Sequence, residues 1–150
     1  ITTTAKVPHT WEFIHDEIGY NYRLPNLNAA LGCAQLEQLP TKLLAKRTLF
    51  GRYQTAFSKV EGAKLVSEPA QCRSNYWLQT IMLNADQMHH RDSILKTANE
   101  AGLMTRPVWR LLHQLIPFVN CPRMDLSTAE QLSQRLINIP SSPSLLGKVV

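Results

Sequence analysis

GYNYRLPNLNAALGCAQLEQL, residues 19–39, is the stretch of this 150-residue chain that says most about its fold. Gly19 permits an unusual backbone conformation where the stretch begins. Asn26 predicts the start of a helix, because an asparagine oxygen accepts hydrogen bonds from the free amide groups of a first turn. Apolar side chains then recur at helical spacing, at Leu27, Ala30, Leu31 and Ala34. The pattern predicts a turn that leads directly into a helix.

Three polar side chains lie just ahead of that predicted helix: Asn21, Tyr22 and Arg23. Amide, hydroxyl and guanidinium groups are hydrogen-bond donors that suit a phosphate. The positive end of a helix dipole would add to the attraction. The residues by themselves equally allow an ordered turn whose polar groups bond only to the backbone. The stretch is therefore a candidate phosphate site.

A second helix and a buried strand are expected next. Pro40 lacks an amide hydrogen, so it should interrupt the helical pattern, and a new helix should restart there and end near Gly62. Residues 74–83, SNYWLQTIML, are apolar or aromatic on both alternating faces, which is typical of a buried strand. The apolar stripe of the second helix is Leu43, Phe50, Tyr53 and Phe57.

The rest of the chain predicts two more helices and two short strands. Asp86 is expected to cap a helix that stops at Gly102, since glycine tolerates the left-handed conformation of a helix end. Residues 127–130, STAE, fit a capping box that starts another helix. The two strands are predicted at residues 103–108 and 137–140, and a long loop is predicted at residues 109–126. Because helices separate the strands, we predict an α+β fold in which helices cover a small sheet.

Composition narrows the class of protein. The chain is 44% apolar, enough for a packed core, and carries 16 basic and 11 acidic residues, a net charge of +5. The charges are scattered, whereas nucleic-acid binders concentrate them on one face, so nucleic-acid binding is the weakest of the alternatives. A positive cleft for a phosphorylated small molecule explains the charge balance equally well.

The cysteines and the apolar runs indicate where the protein works. Its three cysteines are widely spaced and odd in number, which argues against a disulfide framework and for a reducing compartment. No signal-peptide core and no apolar run of membrane-spanning length is present. The sequence therefore predicts a soluble, cytoplasmic protein.

Histidines and a tryptophan are the remaining candidates for chemistry. His89 and His90 are adjacent, and neighbouring helical residues point in different directions, so no metal site is predicted there. Cys121 lacks the paired spacing of a zinc site. Trp109 and His113, four residues apart, would share one side of a helical turn and face a ligand. The pattern also allows a packed tryptophan with a hydrogen-bonded histidine.

An ordered set of motifs resembles the DegT/DnrJ/EryC1/StrS family of pyridoxal-phosphate (PLP) sugar aminotransferases. The resemblance covers nearly the whole chain. It is closest to the branch that acts on UDP- or GDP-linked 4-keto-6-deoxy N-acetyl sugars, as in bacillosamine and legionaminic acid synthesis. The motifs, besides GYNYR, are TTTAKVPH (3–10), RSNYWLQ (73–79), AGLMTRPVW (101–109), LLHQL (111–115) and NIPSSP (138–143).

The resemblance implies a fold and a set of roles. Residues 1–25 would connect to a large PLP domain, and residues 26–150 would form the C-terminal small domain of an aspartate-aminotransferase-like (fold type I) enzyme. Asn21 would reach across a homodimer with shared active sites to the PLP phosphate. Arg23 would lie near the cofactor or substrate phosphates. The residues implied at the nucleotide sugar are Tyr22, Arg23, Trp109 and His113.

The implied reaction takes an amino group from glutamate and places it on the C4 ketone of the nucleotide sugar, in bacterial surface-glycan biosynthesis. The catalytic lysine is expected upstream of Ile1, because Lys6 lies in a different setting, TTTAKVPH. The chain alone is therefore expected to be inactive. Two alternatives stay open: a lysine-replaced relative that catalyses dehydration, and a non-catalytic module for dimerisation or sugar-nucleotide binding.

Overall fold

The structure is a computed structural model that describes residues 6–7, 11, 14–15 and 24–147. A short antiparallel pair, β1 (Lys6–Val7) and β2 (Ile14–His15), comes first. Two successive helices follow, α1 (Asn26–Glu37) and α2 (Leu39–Phe57). The break between the helices confirms the expected effect of proline, which lies in the first turn of α2.

The start of α1 differs in detail from the prediction. Asn26 is the first residue of the helix and does not cap it. Pro25 occupies the N-cap position, and no side chain makes a capping hydrogen bond there. The proline ring holds φ at −58°, and the Pro25 carbonyl accepts the Ala29 amide at 2.9 Å. Proline therefore orients the first turn that the asparagine side chain was expected to cap.

A four-stranded antiparallel sheet forms the centre of the domain, in the order β3-β4-β6-β5. Its edge strand β5 contains a proline, which an edge tolerates because no partner needs the missing amide. The strands are β3 (Ala63–Leu65), β4 (Gln79–Leu83), β5 (Arg106–Pro107) and β6 (Leu136–Ile139). β3 was not expected from the sequence, and β5 is shorter than predicted.

The core lies between one face of this sheet and the helices α2 and α3 (Arg91–Glu100). Tyr53 and Phe57 of α2 pack against it together with Ile94 of α3. Its buried members are Ile81, Leu83, Leu95, Ile137 and Ile139. The predicted α+β fold, a small sheet covered by helices, is confirmed.

Two predicted caps do not form. Asp86 lies inside a 3-10 turn, Ala85–His90, that precedes α3. At α4 (Ser127–Ser133) the capping box fails because the Ser127 hydroxyl donates to the Asp125 carboxylate at 2.7 Å. Gly102 does end α3 in the left-handed conformation expected of it, with φ of 79°.

β4 begins later than the predicted strand at residues 74–83. Tyr76 adopts a left-handed conformation, φ 46°, which takes the preceding residues out of the sheet. The Trp77 carbonyl accepts a hydrogen bond from Lys46 Nζ at 2.8 Å. The donor is thus a side chain of α2 and not the backbone amide of a neighbouring strand. The extended segment before β4 is therefore held by α2.

No helix in the described part of the chain is long and apolar enough to cross a membrane. The expected long loop at 109–126 is present and contains two 3-10 turns, Leu112–Gln114 and Ile116–Phe118. It connects β5 to α4.

Candidate functional site

A cleft of about 1150 Å³ opens beside the edge of the sheet where β5 lies. Its walls come from β5 and the start of the long loop, from the end of β6, from the segment before β4, and from single residues of α2 and α3. The lining includes three tryptophans and three arginines: Trp11, Trp77, Trp109, Arg91, Arg106 and Arg110. Such a lining suits a planar, negatively charged ligand.

Trp77 and Trp109 stack on one another across the cleft wall. Their ring centroids are 6.0 Å apart and their planes differ by 26°. Trp77 precedes β4 and Trp109 follows β5, so the sheet brings together two segments that are distant in sequence. The side chains stay 65% and 53% exposed. Large aromatic faces left open in a cleft are typical of ligand contacts.

Three arginines line the cleft. Arg106 Nη1 donates to the Trp11 carbonyl at 3.0 Å, which ties the segment before α1 to β5. Arg91 donates to the Ser133 carbonyl at 2.7 Å and pairs with Asp92. Within residues 24–147 and the other described positions, no aspartate or glutamate lines the cleft. Arg91, Arg106 and Arg110 are therefore the charged side chains of the cleft lining within the described residues.

His113 takes a different position from the one predicted. Residues 109–111 are not helical, so Trp109 and His113 do not share the side of a helical turn. His113 lies outside the cleft lining, although Leu111 and Gln114 belong to it. Its Nε2 lies 3.0 Å from Glu130 Oε1 of α4, and its side chain is only 16% exposed. The histidine thus joins the long loop to α4.

Glu130 is a residue whose role the sequence misassigned. It was expected to reach back to the start of its own helix, and it instead contacts His113. Asn21, Tyr22 and Arg23 lie outside the described residues, so their predicted roles stay predictions.

The segment that carries Trp77 is held by an ion pair that sequence reasoning also missed. Arg47 on α2 binds Glu68 through two contacts, Nη2–Oε1 at 2.6 Å and Nη1–Oε2 at 3.1 Å. The Ser74 amide donates to the same carboxylate at 2.6 Å, and the Ser74 carbonyl accepts from Arg47 at 2.7 Å. The hydrogen bond from Arg47, followed by that from the Ser74 amide, lowers the pKa of Glu68 from 4.5 to about 2.

Acid should weaken this network in a defined window. Because the pKa of Glu68 is lower in the folded protein, its contribution to stability is complete above about pH 4.5 and is lost as the pH falls towards 2. We expect Glu68→Gln to flatten the pH dependence of the urea unfolding midpoint between those values. Arg47→Met should flatten it as well, since it removes the charge that lowers the pKa. An unchanged slope in both variants would contradict the assignment.

Lys46 fixes the same segment from the other side. Its ammonium donates to the Trp77 carbonyl at 2.8 Å and to the Ser141 carbonyl at 2.5 Å, and burial lowers its pKa. The Ser141 hydroxyl also accepts a hydrogen bond from the backbone amide of Gln79 at 2.7 Å. The backbone on both sides of Trp77 is therefore tied to α2 and to the end of β6.

The histidines and cysteines named above as possible metal ligands lie in several parts of the described structure. Among the described residues, no three histidine, cysteine, aspartate or glutamate side chains lie close enough to hold an ion. His89 and His90 have ring centroids 3.9 Å apart at a tilt of 43°. Cys33, Cys72 and Cys121 are free and exposed.

Comparison with known proteins gives the family of this chain. Residues 3–150 match the DegT/DnrJ/EryC1/StrS aminotransferase family. The chain is 36% identical over 135 residues to EpsN of Bacillus subtilis, described as a pyridoxal phosphate-dependent aminotransferase, and covers 34% of it. It is 31% identical over 139 residues to GDP-perosamine synthase of Escherichia coli O157:H7, of which it covers 37%. Those matches cover 87% and 93% of this chain.

The fold of this chain is also found in a solved structure. PseC of Helicobacter pylori, an aminotransferase involved in pseudoaminic acid biosynthesis, superposes with a TM-score of 0.75 at 19% identity, covering 93% of this chain and 38% of that one. The chain thus spans little more than a third of the length of these relatives. The family match over residues 3–150 and the small fold-type-I domain agree, and the chain belongs to the DegT/DnrJ/EryC1/StrS aminotransferase family, whose members depend on pyridoxal phosphate.

Proposed function

We propose that this chain is the C-terminal portion of a PLP-dependent aminotransferase that aminates the C4 ketone of a nucleotide-linked 4-keto-6-deoxy sugar, with glutamate as the amino donor. The family match supports the reaction type. The observation that carries the substrate class is the cleft, which combines exposed tryptophans with three arginines and has no carboxylate among its described lining residues. A nucleotide sugar has the matching parts, a planar base and two phosphates.

The finer branch is part of the same proposal. The ordered set of motifs, taken together, resembles the enzymes of bacillosamine and legionaminic acid synthesis, which build bacterial surface glycans. A relative of this chain is named for a GDP-linked sugar, perosamine. The dehydration chemistry of lysine-replaced relatives is the rival within the family.

The roles that we propose for residues of this chain are binding of the cofactor and of the substrate. Pyridoxal phosphate, when bound, supplies the electron sink for amino transfer. Asn21 and Arg23 would hold its phosphate through charge-assisted hydrogen bonds. Tyr22, Trp109 and His113 would orient the nucleotide sugar, His113 through the loop that it joins to α4.

The cofactor lysine is proposed to lie outside this chain. Lys46, near the cleft wall, donates to two backbone carbonyls and so has a structural partner on both sides. The chain would then contribute orientation and charge, and its isolated form would be inactive.

A homodimer in the cytoplasm is the proposed assembly and location. Helix α1 has no buried residue, and Leu27 and Leu31 are 80% and 60% exposed, which provides an apolar surface for a homodimer with shared active sites. The three exposed cysteines are all free, which fits the reducing cytoplasm.

A non-catalytic sugar-nucleotide-binding module is the second candidate. It is favoured by the cleft lining, which among the described residues includes no histidine, cysteine, lysine, aspartate or glutamate that could pair as nucleophile and base. The two candidates predict different spectra for the protein isolated intact from its source.

The test is the absorbance of that intact protein. We expect a lysine-bound PLP band that glutamate converts to the pyridoxamine form and that a nucleotide-linked 4-keto sugar restores. Intact mass measured on the same sample should exceed that of this chain, which is 17.0 kDa. A protein of this size without a chromophore would favour the binding module.

His113→Ala tests the proposed role of the long loop. We expect kcat/KM for the nucleotide sugar to fall about tenfold, because losing one positioning contact costs on the order of 1.4 kcal/mol in the transition state. The rate of the glutamate half-reaction should not change. His90→Ala, at an exposed histidine before α3, is the control and should behave as wild type. Unchanged sugar kinetics with a failing glutamate half-reaction would contradict this role.

A further inference from the structure

The backbone that presents Trp77 is strained and firmly held. Tyr76 has φ of 46°, a conformation that costs a non-glycine residue free energy and persists only where its surroundings enforce it. Its ring is 6% exposed and stacks on Phe50 with centroids 4.0 Å apart. The guanidinium of Arg47 lies 5.3 Å from the centre of the same ring.

Short-range hydrogen bonds complete this support. The Tyr76 amide donates to the Ser74 hydroxyl at 3.0 Å, and the Trp77 amide donates to Asn75 Oδ1 at 3.0 Å. With the bond from Lys46 to the Trp77 carbonyl, both polar backbone groups of Trp77 have partners. The indole, in contrast, is left 65% exposed. A rigid backbone that presents an open aromatic ring is typical of a preorganised binding surface.

The geometry of the tryptophan pair limits how a ligand is bound. A ring placed between the two indoles would need a van der Waals separation of about 3.5 Å on each side, or about 7 Å in total. The indole centroids are only 6.0 Å apart, so no third ring fits between them. An incoming ring must stack on an outer face of the pair. Arg106 and Arg110 line the same cleft, so phosphates attached to that ring would lie in a region that contains guanidinium groups.

We infer that Trp77 and Trp109 form a stacking platform for the base of a nucleoside diphosphate. The inference rests on the proposed function and deepens it, since it assigns the base to one wall of the cleft. Stacking recognises any planar base, so the platform contributes affinity and leaves the choice between bases to other groups.

The experiment measures binding to the intact enzyme by isothermal titration calorimetry with three probes: UDP, GDP and inorganic pyrophosphate. Trp77→Leu should weaken UDP and GDP about tenfold, because stacking of one base on an aromatic side chain is worth roughly that factor or more. The affinity for pyrophosphate, which has no base, should be retained. Trp77→Phe should recover most of the lost affinity, because it restores an aromatic face.

Two further variants keep the result unambiguous. Trp109→Leu removes the other ring on a separate segment and should show the same selective loss, even if Trp77→Leu perturbs the strained backbone. Leu44→Ala, 68% exposed on α2 and absent from the cleft lining, is the control and should leave all three affinities unchanged. Equal affinity for UDP in both tryptophan variants and wild type would overturn the inference, as would an equal loss for pyrophosphate.

Amino transfer by the wild-type enzyme separates this inference from the function on which it rests. If wild type aminates a nucleotide-linked ketone while both tryptophan variants bind UDP normally, the platform is wrong and the function stands. If wild type transfers no amino group to such a sugar but the variants lose UDP selectively, the platform stands and the proposed enzyme is wrong.

Discussion

Replacing Ile137 with alanine should lower the free energy of unfolding of this domain by about 3 kcal/mol, within the usual range for an isoleucine removed from a packed core. Ile137 is 0% exposed and lies on the central strand β6, where it pairs with Ile81 of β4 and Pro107 of β5. The cavity would open where three strands and Leu95 of α3 meet, so the neighbours have little freedom to fill it.

Urea unfolding followed by tryptophan fluorescence measures this loss. Leu132→Ala is the matched control, because Leu132 is 37% exposed on α4 and takes no part in the core cluster. This control should lower the free energy of unfolding by on the order of 0.5 kcal/mol, far less than the core variant does. A core variant as stable as the control would mean that the buried cluster is not the centre of stability.

Asn21→Ala is expected to raise the dissociation constant for pyridoxal phosphate by roughly 10- to 100-fold in the intact enzyme. A hydrogen bond to a charged group contributes roughly 1.5–3 kcal/mol, and alanine removes the donor that we propose for the cofactor phosphate. The overall fold should survive, since the change removes a small polar group ahead of α1 and leaves the core intact.

Cofactor retention is measured by dialysis and by the absorbance of bound PLP. Asn28→Ala is the control: an exposed asparagine on α1, whose loss should leave PLP affinity unchanged. Wild-type PLP affinity in Asn21→Ala would remove this residue from the site, whereas loss of folding would be visible as an altered urea unfolding curve.

Local patterns anticipated the elements that depend on neighbouring residues. Proline at position 40 separates α1 from α2, because its missing amide acts within one turn whatever packs around it. Gly102 ends α3 for an equally local reason. The caps were less predictable: the hydroxyl of Ser127 has Asp125 as a nearer acceptor. Competition among polar groups a few residues apart is decided by geometry that sequence spacing does not contain.

The ordered motifs and the hydrophobic pattern were sufficient by themselves to identify the family and the α+β class, because both are properties of the chain read in order. Only the tertiary structure determined which side chains meet in and around the cleft. It pairs Trp77 with Trp109, joins His113 to Glu130 and binds Arg47 to Glu68, each across a long separation in sequence. Such pairs form because antiparallel strands and packed helices bring distant segments together, and no local periodicity records which side chains then meet.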